Sequence, residues 1–332
     1  MAHDTLPKVE LHLHLEGAAP PAFIAGLASE KSVTLRGVFG EDGRYAFRDF
    51  PHFLQVYERA TSVLRTPSDY ARLVRAVLKT QAAERVVYTE TFLSPDFCGG
   101  GDLSAWRDYL AAMTEAAAMA EAEDGVILRG VVTCIRHFGP ETARAAAICA
   151  AETAGDFITG FGIAGDETRG RPADFAWAFD CAREAGLGLT AHAGEWGGPV
   201  SVREAVRDLG VSRIGHGVRA IEDPALPGWL AEQGIVLEVC PGSNIALGLY
   251  PSWDRHPVAR LRAAGVKVTL STDDPPFFGT RLGEEYDRLA EAFGWTPEDF
   301  AAMNRVAAEA AFCDAATRSR VMTALLAPEA AA

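Results

Sequence analysis

Lys8-Val9-Glu10-Leu11-His12-Leu13-His14-Leu15 alternates polar and apolar residues at a period of two. That period predicts a strand with His12 and His14 on one face and Leu11, Leu13 and Leu15 on the other. Seven more aliphatic or β-branched runs follow, at 86–93, 126–135, 157–165, 187–193, 212–217, 235–241 and 266–272. Ala-rich stretches of helical period separate them. Trp106, Leu110, Met113, Ala117 and Ala120 recur at steps of four and three and mark one buried helical face. Pro172 opens a helix that Gly186 closes, and Pro257 and Gly265 bracket another. Ser201 and Glu204 have the spacing of a capping box, ahead of a stop at Gly210. Eight strands, each followed by a helix, predict an α/β fold of the closed (β/α)8 TIM-barrel type, with 1–332 as a single domain. The competing open, doubly wound sheet calls for a glycine fingerprint early in the chain. Gly160, Gly162 and Gly165 have that spacing, but they lie in the fourth strand and no helix start follows them.

One connection is far longer than the rest. The helical insertion 18–85 separates the first two strands and includes a helix predicted over Phe50 to Leu64. In a barrel it follows a strand and so lies on the face where active sites are built. It reads either as a lid over a substrate or as a structural cap.

Composition excludes several classes. With 48% hydrophobic and 23% charged residues in 332, the chain is neither disordered nor collagen-like. A formal charge of −14 argues against nucleic acid as the main partner. No apolar run approaches the roughly eighteen residues of a membrane span, so no membrane partner is expected. Met1 to Glu10 has neither the basic nor the apolar region of a signal peptide. Six cysteines without C-x-x-C pairing read as free thiols in a reducing compartment, so a cytoplasmic location is expected.

The chemistry-bearing residues gather at strand ends. Strand one carries His12 and His14, strand five ends in His192-Ala193-Gly194-Glu195, and strand six ends in Gly215-His216-Gly217. Strand eight ends in Thr272-Asp273-Asp274-Pro275, and two adjacent carboxylates there are expensive to bury unless paired or bound to a cation. Any one of these is ambiguous, since a lone histidine at a strand end is more often structural. Four strands converging at one end of a barrel point to a mononuclear metal site of three imidazoles and one carboxylate, with a position open for water. Two-metal barrel hydrolases often use a carboxylated lysine on strand four, and no lysine lies between Lys79 and Lys267. One metal is therefore expected. His3, His52, His137 and His256 receive no catalytic role, with His256 read as solvated at a helix start. Phe97-Cys98-Gly99-Gly100-Gly101 reads as a loop and lacks phosphate-binding spacing.

The segment Pro7 to Gly17 resembles the first metal motif of the adenosine and adenine deaminase family. His192-Ala193-Gly194-Glu195, Gly215-His216-Gly217, Val239-Cys240-Pro241 with Ser243-Asn244, and Thr272-Asp273-Asp274-Pro275 match its later motifs in order. The resemblance covers nearly the whole chain and is weakest in the insertion. It implies that His12, His14, His192 and Asp273 hold one Zn2+. It also implies that Glu195 hands a proton to purine N1, and that His216, aided by Asp273, orients or deprotonates the attacking water. Asp274 would hydrogen-bond N7, Gly165 would meet the N3 edge through its backbone, and His14 and Glu16 would border the substrate. Cytidine-type zinc deaminases use P-C-x-x-C, and this chain has no C-x-x-C. Two signals on the substrate conflict. Glu16 stands where adenosine deaminases commonly carry Asp and adenine-type relatives often carry Glu. Gly165-Asp166-Glu167 looks like the nucleoside-type motif. The expected reaction is adenosine to inosine and ammonia. Adenine to hypoxanthine, or a modified aminopurine, is the alternative, and a non-catalytic purine-binding barrel comes third. The partner is a small-molecule purine, and the sequence does not specify an oligomeric state.

Overall fold

The structure is a computed structural model and describes residues 5–326, so His3 lies outside the described residues. Eight parallel strands pair in chain order: β1 (Lys8–His14), β2 (Val86–Leu93), β3 (Ile127–Ile135), β4 (Ile158–Ala164), β5 (Gly188–Ala193), β6 (Arg213–His216), β7 (Val236–Val239) and β8 (Lys267–Leu270). The ring closes at a bridge between Leu13 and Asp273. There His14 N–H donates to the Asp273 carbonyl at 3.0 Å, and Asp273 N–H donates to the His12 carbonyl at 3.1 Å. The seam of the (β/α)8 barrel is thus made by residues of the expected metal site.

All eight strands fall inside the predicted runs, trimmed by up to two residues at each end. The trimming at β6, β7 and β8 lets the chain turn at Gly217, Pro241 and Thr272, which exposes site residues at the mouth. Strand one departs from simple alternation. A register irregularity falls between Glu10 and Leu13, and the N–H groups of Leu11 and His12 both donate to Ser271 Oγ. The strand bends at this bulge, and the three leucines fall into two clusters. Leu13 and Leu15 enter the main core, while Leu11 joins Val9, Tyr88 and Ile127 in a smaller cluster against Ala307, Ala308 and Ala311.

The insertion holds α1 (Pro21–Glu30), α2 (Phe50–Thr61) and α3 (Pro67–Ala83). Asp49 caps α2 through His52 N–H, and a Thr66–Asp69 capping box starts α3. The outer helices that follow are α4 (Leu103–Asp124), α5 (Pro140–Glu152), α6 (Ala176–Glu184), α7 (Gly198–Leu209), α8 (Leu226–Gln233), α9 (Pro241–Ala246) and α10 (Val258–Ala263). The chain continues through α11 (Pro275–Phe278), α12 (Leu282–Phe293), α13 (Pro297–Ala310) and α14 (Ala315–Leu325). On α4, Trp106, Met113, Ala117 and Ala120 are buried and Leu110 is half-buried, as their spacing predicts. Pro172 opens a 3-10 turn, Pro172–Phe175, that leads into α6. The capping box at Ser201 is corrected. Helix α7 begins three residues earlier, at Gly198, and the Ser201 hydroxyl donates to Glu167 instead. Among the described residues no helix is long and apolar enough to cross a membrane.

Candidate active site

Three imidazoles meet at the mouth of the barrel. Two of them, His12 and His192, are oriented from behind, and the Nε2 atoms of all three turn to a common centre. The Nδ1 of His12 lies 2.8 Å from Glu238 Oε2, and the Nδ1 of His192 lies 3.0 Å from the Ile163 carbonyl. The back partners are acceptors, so both Nδ1 atoms carry the hydrogen and both Nε2 lone pairs are free. His14 Nε2 lies 3.2 Å from His192 Nε2 and 3.1 Å from Asp273 Oδ1, and His12 Nε2 lies 3.5 Å from the same oxygen. A tetrahedron with bonds of 2.0–2.2 Å has edges of about 3.3–3.6 Å. The spacing therefore fits a four-coordinate cation. His12 Nε2 is buried without a hydrogen-bond partner, as a ligand atom awaiting a metal would be. His12, His14, His192 and Asp273 form a group whose ligand atoms all lie within 4.8 Å of one another.

Close approach requires glycine at two places. A Cβ on Gly215 would sit 2.7 Å from the His12 ring, and one on Gly17 would sit 1.6 Å from Asp274 Oδ1. His216 and Asp273 take left-handed backbone angles, φ +60° and +67°. Non-glycine residues rarely adopt them, and here they turn both side chains into the site.

Electrostatics divide the acids into two groups. Burial tends to raise the Asp273 carboxyl, but the adjoining imidazoles of His12, His14 and His216 outweigh it and hold the group well below the usual range. Burial, and next the neighbouring Asp273 charge, push Glu195 and Asp274 well above it. Burial lowers His216 to about 4. The site therefore contains one firmly ionised carboxylate beside two carboxylic acids that can donate.

Helix α2 closes the site from above. Phe50, Phe53, Leu54, Tyr57 and Glu58 from this helix join His14, Phe97, His137, Gly165, His192, Glu195, His216, Asp273, Asp274 and Phe278 around a cavity. Its lining is largely apolar with a few convergent polar groups, the character of a small-molecule site. The insertion thus contributes part of the cavity lining through α2. Glu16 is placed differently from expectation. It is buried beside the cavity, not in its lining, and its two oxygens accept from Tyr57 at 3.3 Å and Tyr70 at 3.0 Å.

Several residues that shape the site were not singled out in the sequence. Glu238 orients His12 and pairs with the buried Arg213, which in turn pairs with Glu90. A charge in the middle of Ile235-Val236-Leu237-Glu238-Val239 was the available signal, because an apolar strand does not bury an unpaired acid. Glu167 accepts the N–H groups of Gly194, Glu195, Trp196 and Gly197 and so shapes the turn that carries Glu195. His256 is buried rather than solvated and bonds to Asn244 at 3.1 Å. His137 reaches the cavity wall, whereas His52 is half-exposed near the N-terminus of α2, outside the cavity lining.

The sequence pattern of the family described as Adenosine deaminase matches residues 7–328. The chain belongs to the adenosine deaminase family. It is a deaminase of this metal-dependent family. An adenine deaminase from Rhizobium leguminosarum bv. trifolii (strain WSM2304) is 49% identical over 321 residues, 96% of this chain and 99% of that protein. Among solved structures, adenine deaminase from Arthrobacter aurescens superposes with a TM-score of 0.88 at 28% identity, over 96% of this chain and 98% of that one. A zinc-bound amidohydrolase from Burkholderia ambifaria gives 0.86 at 29% identity, over 97% and 90%.

Proposed function

We propose that the protein deaminates adenine, giving hypoxanthine and ammonia, with one Zn2+ at His12, His14, His192 and Asp273. Of the two substrates weighed from the sequence, this takes adenine over adenosine. The observation that carries the choice is the closed Tyr57–Glu16–Tyr70 cluster. Both Glu16 oxygens accept from phenol hydroxyls, which ties the carboxyl into the wall with Tyr57, and Tyr57 rather than Glu16 lines the cavity where a ribose would lie. Burial raises the Glu16 carboxyl to about 7, in keeping with a group packed in the wall and not solvated beside a sugar. The names of the relatives at 48–49% identity point the same way.

The residues divide the reaction among them. Zinc, when bound, supplies Lewis acidity that brings the pKa of water down to about 7. Glu195, protonated by its surroundings, gives its proton to N1 as the C6–O bond forms, so the ring accepts the electron pair. Asp273 stays ionised and takes the proton released by the water, its Oδ2 steadied by Ser243 Oγ at 2.7 Å. The Asp274 carboxyl can donate to N7, and its Oδ1 is buried without a partner. Asp273 then passes its proton to the amino group, the C6 hydroxyl returns a proton to Glu195, and the C6–N6 bond breaks, leaving ammonia and hypoxanthine that keeps its N1 hydrogen. Helix α2 and Phe278 exclude bulk water.

Turnover is the test. Protein loaded with one zinc is expected to release ammonia and hypoxanthine from adenine in equal amounts, with kcat/KM above about 10⁴ M⁻¹ s⁻¹. Failure to turn over adenine with zinc fully bound would overturn the proposal.

A further inference from the structure

His216 faces the reacting centre, yet its role depends on which ring nitrogen carries the hydrogen. A neutral imidazole with its hydrogen on Nε2 is a donor to the attacking water. One with its hydrogen on Nδ1 presents a lone pair and acts as a base. The sequence left both roles open. The structure contains a hydrogen-bond chain that selects one.

The chain starts at a group whose direction is fixed. The Val258 N–H lies in the first turn of α10, where no helical carbonyl is available to it, and it donates to His256 Nδ1 at 3.2 Å. A backbone N–H only donates, so His256 Nδ1 accepts. His256 is 2% exposed, and burial followed by its neighbour His216 lowers its pKa to about 3, which keeps the ring neutral. Its one hydrogen is therefore on Nε2. That atom lies 3.1 Å from Asn244 Oδ1, which accepts. With its oxygen so engaged, Asn244 turns its amide nitrogen to His216 Nδ1 at 3.2 Å and donates. His216 Nδ1 must accept, and its hydrogen sits on Nε2. The Nε2 lies 3.8 Å from Glu195 Oε1 and 3.8 Å from Asp273 Oδ2.

We propose that Asn244 and His256 are positioning residues that lock His216 in its Nε2–H tautomer. In that form His216 orients the attacking water by donating to its oxygen. It does not take the water's proton, which goes to Asp273. This use of the lock rests on the deaminase reading of the site, but the tautomer itself does not.

Two measurements test it. Long-range 1H–15N correlation spectra of zinc-loaded protein carrying 15N-histidine, with His216 and His256 assigned by substitution, are expected to show both rings protonated at Nε2. Protonation of His216 at Nδ1 would overturn the proposal in the wild-type protein, whatever the variants do. In kinetics, Asn244→Asp offers an acceptor to Nδ1 and is expected to move the His216 hydrogen there. Its kcat should fall about 10- to 100-fold, as for other partners that orient a site histidine, with KM and zinc content held. His256→Leu should fall similarly, and His256→Gln, which keeps a side-chain N–H for Asn244, should recover most of the loss. Folded, zinc-loaded Asn244→Asp and His256→Leu proteins with unchanged kcat would contradict the lock. Lack of adenine turnover by the wild type refutes the substrate assignment instead, because the spectra read the tautomer without substrate.

Discussion

Glu195→Gln is expected to lower kcat by about 10²–10⁴-fold while leaving the fold, the metal and KM nearly unchanged. Glutamine has the same shape and keeps the packing at the end of β5. The turn that holds it is set by four N–H bonds to Glu167, which the substitution leaves in place. What is lost is the acidic hydrogen. Without it, electrons pushed into the purine ring meet no proton at N1, and water addition at C6 becomes uphill. Burial and the Asp273 charge push the native carboxyl well above its usual range, which favours the protonated form that the proposed step needs. Steady-state kinetics with zinc analysis of the same sample check this. A kcat close to the wild-type value would remove Glu195 from proton transfer.

The second large effect concerns the metal. His192→Ala is expected to weaken metal binding by more than the roughly 10- to 100-fold lost when only an orienting partner is changed. His192 would supply one of four ligand atoms, and its ring is aimed by the Ile163 carbonyl. The strand should survive, because β5 pairs along its backbone with β4 and β6 and its neighbours Ala191 and Ala193 are buried. Elemental analysis after dialysis, beside a circular dichroism spectrum, reads the outcome. A folded variant that retains a full equivalent of zinc would show that His192 is not a ligand.

Much of this was legible in the residues because the relevant patterns are local. The eight strands announce themselves by β-branched runs, and histidines and carboxylates at four strand ends are rare enough together to mark a metal site. The alternation in strand one located His12 and His14 but gave no sign of the bulge between Glu10 and Leu13. A bulge is fixed by pairing to Ser271, some 260 positions later in the chain. His256 was misread for a similar reason. A histidine before proline at a helix start looks solvated until tertiary packing brings Asn244 against it. The meaning of Glu16 also lay outside its own motif, since Tyr57 and Tyr70 come from α2 and α3 of the insertion. Gly165-Asp166-Glu167, taken as a mark of a nucleoside site, is accounted for here by the hold of Glu167 on the Glu195 turn.

On the proposed reading, the wall around Glu16 admits a base and excludes its nucleoside. The most direct measurement compares kcat/KM for adenine and adenosine on the same zinc-loaded preparation, by ammonia release. We expect adenine to be preferred by at least about 100-fold, the scale on which a closed pocket rejects a substrate it cannot accommodate. Equal rates, or a preference for adenosine, would mean that Tyr57 and Glu16 open to hold a ribose, and would contradict the account.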